Sequence, residues 1–181
     1  VGYDDPIAPV IEAFTSSLGY IGLEETVQAL TGDSLLHNQD LALEIVAYLK
    51  KNMEQAEIDY GMQTALYSTP AEGYCYKAQT KNREQYGEVE NVTTREYLTS
   101  SFHVPVWEEI TVPEKIAFEE PFHRIATGGR ISYNEFPFKT DTDILQESIE
   151  FAMDKGLYYG VNIVSSSCFA CDFAGDFRDS C

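Results

Sequence analysis

Positive charge is scarce in this 181-residue chain: 12 Lys and Arg stand against 30 Asp and Glu, a formal net charge of -18. Proteins that cover nucleic acid neutralise its phosphates with Lys and Arg, so a general nucleic-acid surface is excluded and no direct nucleic-acid binding is expected. An anionic small molecule is still admissible, because a nest of helix N-termini or a few local cations can hold one. Long apolar runs are missing too, and nothing approaches the eighteen or so residues of a membrane span. Cysteine is sparse and uneven: Cys75 stands alone, and Cys168, Cys171 and Cys181 crowd the C-terminal end. That is no disulfide scaffold, and it points to a reducing, cytoplasmic compartment. GxGxxG loops, P-loops and GxSxG elbows are all absent, as is any internal repeat.

What is present suits a globular piece. Hydrophobic residues make up 44% of the chain and aromatics 13%, enough for a core and too much for a disordered segment. The length suits one ordinary domain. Val1 in place of Met, and the stop at Cys181, read as the ends of a piece cut from something longer.

The stretch Gln63 to Ala78, QTALYSTPAEGYCYKA, organises the rest. Gln63 to Ser68 alternates in polarity as a strand does. Thr69 then suits an N-cap, Pro70 the first helical position, and Glu72 the far side of a capping box. Ala71, Tyr74, Cys75 and Ala78 follow at helical spacing and give the helix one apolar face. A strand ending in a helix start is where α/β enzymes gather chemistry, so Glu72 has two readings, as cap and as catalytic carboxylate.

Elsewhere the pattern repeats. Thr15 to Ile21 reads as a strand that Gly22 turns into a helix over Leu23 to Leu30, stopped by Gly32. Asn38 to Asp59 is the longest helix, with Leu41, Ile45, Tyr48, Leu49 and Met53 as its inward stripe. Lys81 to Arg95 reads as a surface loop and Tyr97 to Val106 as β-rich, ending at Pro105. Pro113 to Phe118 allows one or two helical turns before a loop at Glu119-Glu120-Pro121. Thr127-Gly128-Gly129 is a turn before a strand at Arg130 to Phe136. Asp141 caps a helix reaching Lys155, with Ile144, Leu145, Ile149, Ala152 and Met153 inward, and Tyr159 to Val164 is a further strand. Strand and helix alternate throughout, which argues for an α/β sheet or barrel.

Cys168-Phe169-Ala170-Cys171 and then Cys181 supply three thiolates where a tetrahedral structural zinc wants four. The spacing reads as a zinc knuckle cut short, with a redox CxxC and an unrelated cluster as the other readings. His37, His103 and His123 are scattered and read as surface or core residues, with no acidic partner at ligand spacing. Cys75 reads as a small buried hydrophobe.

Several segments together resemble one family. SLGYIGLEETVQALTG at Ser17 to Gly32, ALYSTPAEGYC at Ala65 to Cys75, SSFHVPVWEEI at Ser100 to Ile110, FEEPFHRIATGGRISYNEF at Phe118 to Phe136, and CFAC with its following GDF at Cys168 to Phe177 are similar, in the same order, to the anaerobic (class III) ribonucleoside-triphosphate reductases. The resemblance implies the second half of a ten-stranded α/β barrel of the glycyl-radical enzyme type, ending in a truncated zinc ribbon. It implies barrel for residues 1–164 and the start of a zinc-binding module for residues 165–181. The reaction implied is reduction of ribonucleoside triphosphates to deoxyribonucleotides for DNA replication. A stored glycyl radical passes to a cysteine, whose thiyl takes the ribose 3′ hydrogen; both residues are expected outside this chain, so the piece alone should be inactive. A radical-SAM activating enzyme, the remainder of the barrel and a homodimer are the implied partners.

By the same resemblance Glu72 matches the glutamate of the STPxE motif, a candidate active-site carboxylate facing the ribose hydroxyls. Ser68, Thr69, Gly128 and Gly129 lie in matched loops near the substrate. Cys168, Cys171 and Cys181 match the first three zinc ligands. Ser100 departs from the pattern, standing where an asparagine is common, and Ser165-Ser166-Ser167 precedes Cys168 where an acidic residue is frequent. Two alternatives are another glycyl-radical enzyme of the pyruvate formate-lyase kind, and a non-catalytic zinc-binding scaffold with no pocket near Glu72.

Overall fold

The computed structural model describes residues 2–68, 70–137, 139–164, 166–167, 171 and 174–175, with Glu72 among those described by backbone alone. Helices and strands alternate through two compact units, one of Val1–Glu108 and Pro121–Arg130, the other of Glu109–Glu120 and Ile131–Cys181. The α/β class expected from the alternating pattern is the class observed.

The first unit runs α1 (Ala8–Glu12), β1 (Ser16–Gly19), α2 (Leu23–Thr31), a 3-10 turn (Leu35–His37), α3 (Gln39–Tyr60), β2 (Thr64–Tyr67) and α4 (Glu72–Tyr86). β1 and β2 are parallel, with Ser16 opposite Thr64 and Gly19 opposite Tyr67. Parallel neighbours need a long crossover, and α2 and α3 supply it. A further bridge reaches β2 from Thr127 and Gly128, whose amides donate to the Leu66 carbonyl at 2.9 and 3.3 Å, while the Ser68 amide donates to Gly128 at 3.0 Å. Leu23, Val27, Leu35, Val46, Leu66 and Phe102 are buried here. Each such side chain contributes about 1.5–3 kcal/mol by leaving water.

Four expectations for this unit need correction. The inward face of α3 centres on Ala42 and Val46, and Tyr48 is exposed, because the contact line lies one position along from the apolar stripe. The helix expected to begin at Pro70 begins at Glu72, with Ala71 as an N-cap that makes no side-chain cap bond. Ala71 has φ -134° and ψ 50°, outside the helical region, so Glu72 is the first helical residue, and Thr69, the expected cap, lies outside the described residues. α4 also runs to Tyr86, into the first part of the stretch expected as a surface loop, and Tyr74 on the expected apolar face is exposed. The polar segment that follows is tied down by polar groups of α4: Gln79 Nε2 donates to Val92 O at 2.7 Å, and Arg83 donates to the carbonyls of Thr93 and Arg95. Residues 97–106 form no strand; Ser100 makes one antiparallel bridge to Ile21.

α5 (Val112–Ile125) runs through the expected loop at Glu119-Glu120-Pro121; its residues to Glu120 belong to the second unit and those from Pro121 to the first. Pro121 lacks the amide that would bond back to Ala117. The second unit continues with β3 (Ser132–Pro137), α6 (Thr142–Asp154), β4 (Tyr159–Val164), β5 (Ser166–Ser167) and β6 (Ala174–Gly175). β3 and β4 are parallel, Ser132 opposite Tyr159, and β5 and β6 are antiparallel. Burial alternates strictly along β3, with Ser132, Asn134 and Phe136 inward. Asp141 caps α6 by accepting from the Asp143 amide, as expected, but the helix buries Ser148 and Ala152 and leaves Ile144, Ile149 and Met153 exposed.

A polar chain lines the inner face of this unit. Glu119, fully buried, accepts from Lys115 Nζ at 2.7 Å and from Ser132 Oγ at 2.5 Å. The Asn134 amide lies 3.5 Å from Ser132 Oγ, and the Tyr159 hydroxyl 3.1 Å from that of Ser148. Of the expected zinc ligands, Cys171 is exposed, and Cys168 and Cys181 lie outside the described residues.

Candidate functional site

Polar groups of the first unit gather where β1 and β2 end. Tyr20 follows β1 and Ser68 follows β2, and the Ser68 hydroxyl donates to the Tyr20 phenol oxygen at 2.9 Å. Ser68 is fully buried. Burial pushes the Tyr20 pKa up to about 12, against a smaller lowering by the Ser68 bond, so the phenol stays neutral at physiological pH. α4 starts just beyond, with the Tyr74 and Cys75 amides both donating to Ala71 O at 2.8 Å. Its first turn carries the positive end of the helix dipole.

Two adjacent carboxylates on α2 are buried beside this region. Glu24 Oε2 accepts from the Leu35 amide at 2.7 Å and Oε1 from Gln28 at 3.3 Å, which fastens the 3-10 turn to the helix. Glu25 Oε1 accepts from both the amide and the hydroxyl of Thr99, each at 2.9 Å, and Oε2 has no hydrogen-bond partner. Burial raises both carboxyl pKa values; their hydrogen bonds oppose this in part. Gly22, at φ +74°, turns β1 into α2 in a conformation that disfavours other residues, and its amide donates to Thr99 O at 2.7 Å.

The Leu98–His103 turn completes the group. Leu98 N donates to Cys75 O at 3.4 Å, and the Ser100 hydroxyl lies 3.7 Å from Cys75 Sγ. Ser101 is fully buried at φ +42°, a left-handed conformation that costs a non-glycine residue about 1–3 kcal/mol. Its hydroxyl lies 3.1 Å from His103 Nδ1, and the His103 ring stacks on Phe102 at 4.9 Å. His123, buried, meets Phe102 edge-on at 5.0 Å. His37 is exposed and, contrary to expectation, has an acidic neighbour, with Asp33 Oδ1 3.0 Å away.

Of the residues expected at the site, Ser68, Gly128 and Gly129 do meet, around Tyr67. A Cβ on Gly128 would fall 2.9 Å from the Tyr67 ring, and one on Gly129 2.4 Å. Glu72 opens α4, its side chain outside the described atoms, and Thr69 lies outside the described residues. Cys75 is buried, as expected. Tyr20, Glu24, Glu25, Thr99 and Ser101 were missed. The sole hint was two glutamates flanked by Leu23 and Val27 on a short helix, and amphipathic spacing alone assigns such residues to solvent. Among the described residues no group of three or more His, Cys, Asp or Glu gathers as a metal site.

Parallel strands whose carboxyl ends meet helix starts and buried hydroxyls define an α/β chain. A family model described as anaerobic ribonucleoside-triphosphate reductase matches residues 2–181, and the chain belongs to that family. The anaerobic ribonucleoside-triphosphate reductase of Enterobacteria phage T4 is 39% identical over 172 residues, covering 92% of this chain and 27% of the phage protein. That of Escherichia coli K12 is 33% identical over 182 residues, covering 97% and 26%. A solved anaerobic ribonucleotide reductase superposes with a TM-score of 0.72 at 16% identity, over 94% of this chain and 27% of that one, a likeness of fold. The chain thus spans about a quarter of the length of the relatives it matches.

Proposed function

We propose that the chain works as part of an anaerobic ribonucleoside-triphosphate reductase, reducing ribonucleoside triphosphates to deoxyribonucleotides. The observation that carries this reading is the family match across residues 2–181. The chain supplies part of the catalytic α/β barrel through residues 1–164, the second half of its ten strands, and opens a zinc-binding module at residues 165–181. The rest of the barrel, a radical-SAM activating enzyme and a second copy in a homodimer are its partners, in the cytoplasm. The chain alone is inactive.

A glycyl radical and its partner cysteine, both outside this chain, would supply the one-electron chemistry at the ribose. Glu72 accepts the 3′ hydroxyl proton; its place at the first residue of α4, directly after β2, supports this by putting it at a strand end where substrates of α/β enzymes bind. Ser68, Thr69, Gly128 and Gly129 line the substrate side, supported by the Ser68–Gly128 bond and the packing of both glycines on Tyr67. Cys168, Cys171 and Cys181 offer three thiolates, a donor set that suits zinc once a fourth joins it from outside the chain.

The test is anaerobic turnover by the complete reductase containing this chain, with a two-electron reductant supplied. Deoxyribonucleotide formation that needs the activase, with about one zinc bound per copy as one closed four-ligand site requires, supports the reading; an activated, zinc-loaded enzyme that forms none overturns it.

A further inference from the structure

We propose that Glu25 is a positioning residue of the substrate site, clamping the Thr99–Ser101 turn so that Ser100 meets polar oxygens of the bound nucleotide. This rests on the reductase reading and goes beyond it, because α2 carries none of the residues assigned to substrate above.

The geometry is that of a clamp on one short turn. Glu25 is 4% exposed, and one of its oxygens takes both donors of Thr99 while the other takes none. Glu25 lies in the first turn of α2, where the helix dipole favours a carboxylate, and its two bonds to Thr99 tie the distant turn to that helix start. From the opposite direction the Gly22 amide holds Thr99 O at 2.7 Å. Thr99 is therefore gripped at its amide, hydroxyl and carbonyl, all by the turn that leads from β1 into α2.

The next two residues show what the grip controls. Ser101 is held buried at φ +42°, a strained conformation that persists only when its surroundings impose it. Ser100, between the clamp and the strained residue, is half-buried; it bridges to Ile21 past the end of β1 and sets its hydroxyl 3.7 Å from Cys75 in the first turns of α4. The turn thus joins the end of β1 to the helix that Glu72 opens. A hydroxyl there both donates and accepts, and suits a nucleotide's hydroxyl and phosphate oxygens.

The test uses the complete reductase and reads amide hydrogen exchange over residues 96–104 together with kcat and KM for a ribonucleoside triphosphate. Glu25→Ala is expected to speed exchange at Thr99 by about tenfold or more and to raise KM by about tenfold, with exchange in α3 unchanged. Glu25→Gln, whose amide oxygen can still accept from Thr99, is expected to recover most of both. Should Glu25→Ala fail to fold, Ser100→Ala gives the independent reading: KM up about fivefold or more with kcat nearly constant. Unchanged exchange at Thr99 in a folded Glu25→Ala enzyme overturns the clamp. KM within twofold of the parent for Ser100→Ala overturns the substrate contact. A parent that forms no deoxyribonucleotide overturns the reductase reading and this inference with it, whereas an active parent with indifferent variants overturns this inference alone.

Discussion

Gly129 sits under the ring of Tyr67 at φ +66°, where a Cβ would lie 2.4 Å from two ring carbons. Gly129→Ala therefore carries two penalties, a left-handed alanine at about 1–2 kcal/mol and displacement of the ring. A total loss of about 2 kcal/mol is expected in urea unfolding. In a Tyr67→Ala background only the backbone part should remain, so a double-mutant cycle should give a coupling of about 1 kcal/mol. Strict additivity would mean that the ring and the glycine do not press on each other.

A second expectation concerns pH. Glu25 has its carboxyl pKa raised by burial above the ordinary 4.5, so the folded chain holds that proton more tightly than the unfolded chain. Its contribution to stability is fully present below the ordinary value and is lost as pH rises through the raised one. Glu25→Gln has no charge to bury at any pH. Its thermal midpoint should gain on that of the parent as pH rises from about 4.5 to about 7.5. A difference between the two that does not change with pH would contradict the shift.

The buried pair of the second unit gives a third. Lys115 sets its ammonium 2.7 Å from a carboxylate that has no exposure at all. Lys115→Met should cost about 3 kcal/mol, because it removes the ammonium held 2.7 Å from a buried carboxylate. Lys115→Met combined with Glu119→Gln should recover most of that, since neither partner is then charged. A single-variant loss below about 0.5 kcal/mol, the range of ordinary surface changes, would mean that water or another group already screens Glu119.

The cysteines give a fourth. If Cys171 is a zinc ligand, Cys171→Ser in the complete reductase should lower bound zinc by about tenfold or more after dialysis against a chelator. Zinc retained at the level of the parent would remove Cys171 from the ligand set.

Much of the element order was legible because it is written in local chemistry. Gly22, Gly32 and Gly61 punctuate the first helices, Asp141 caps α6, and the alternation of β3 needs only a period of two. The α4 start is not fixed by sequence because Thr69-Pro70-Ala71-Glu72 fits a helix start in more than one register, and the helix takes the later one. Residues 97–106 carry β-forming side chains, yet the turn at Ser101 and the Thr99 amide's bond to Glu25 across 74 residues override them. Ser68, Gly128 and Gly129 could be drawn together only through resemblance, since nothing in their spacing announces that Tyr67 joins them. Glu25 was illegible for a plainer reason. Its partner is a backbone amide far along the chain, and sequence gives a carboxylate no sign of burial.

The central claim is that this chain carries active-site residues of an anaerobic ribonucleoside-triphosphate reductase, and Glu72 is its sharpest point. The direct measurement is anaerobic turnover of a labelled ribonucleoside triphosphate by the activated complete enzyme, parent against Glu72→Gln, with the radical content of each sample read by EPR. Activity is expected in the parent, with a fall of about 10²–10⁴ in kcat for Glu72→Gln, the usual weight of a general base, at equal radical content. Equal turnover in the two enzymes would contradict it.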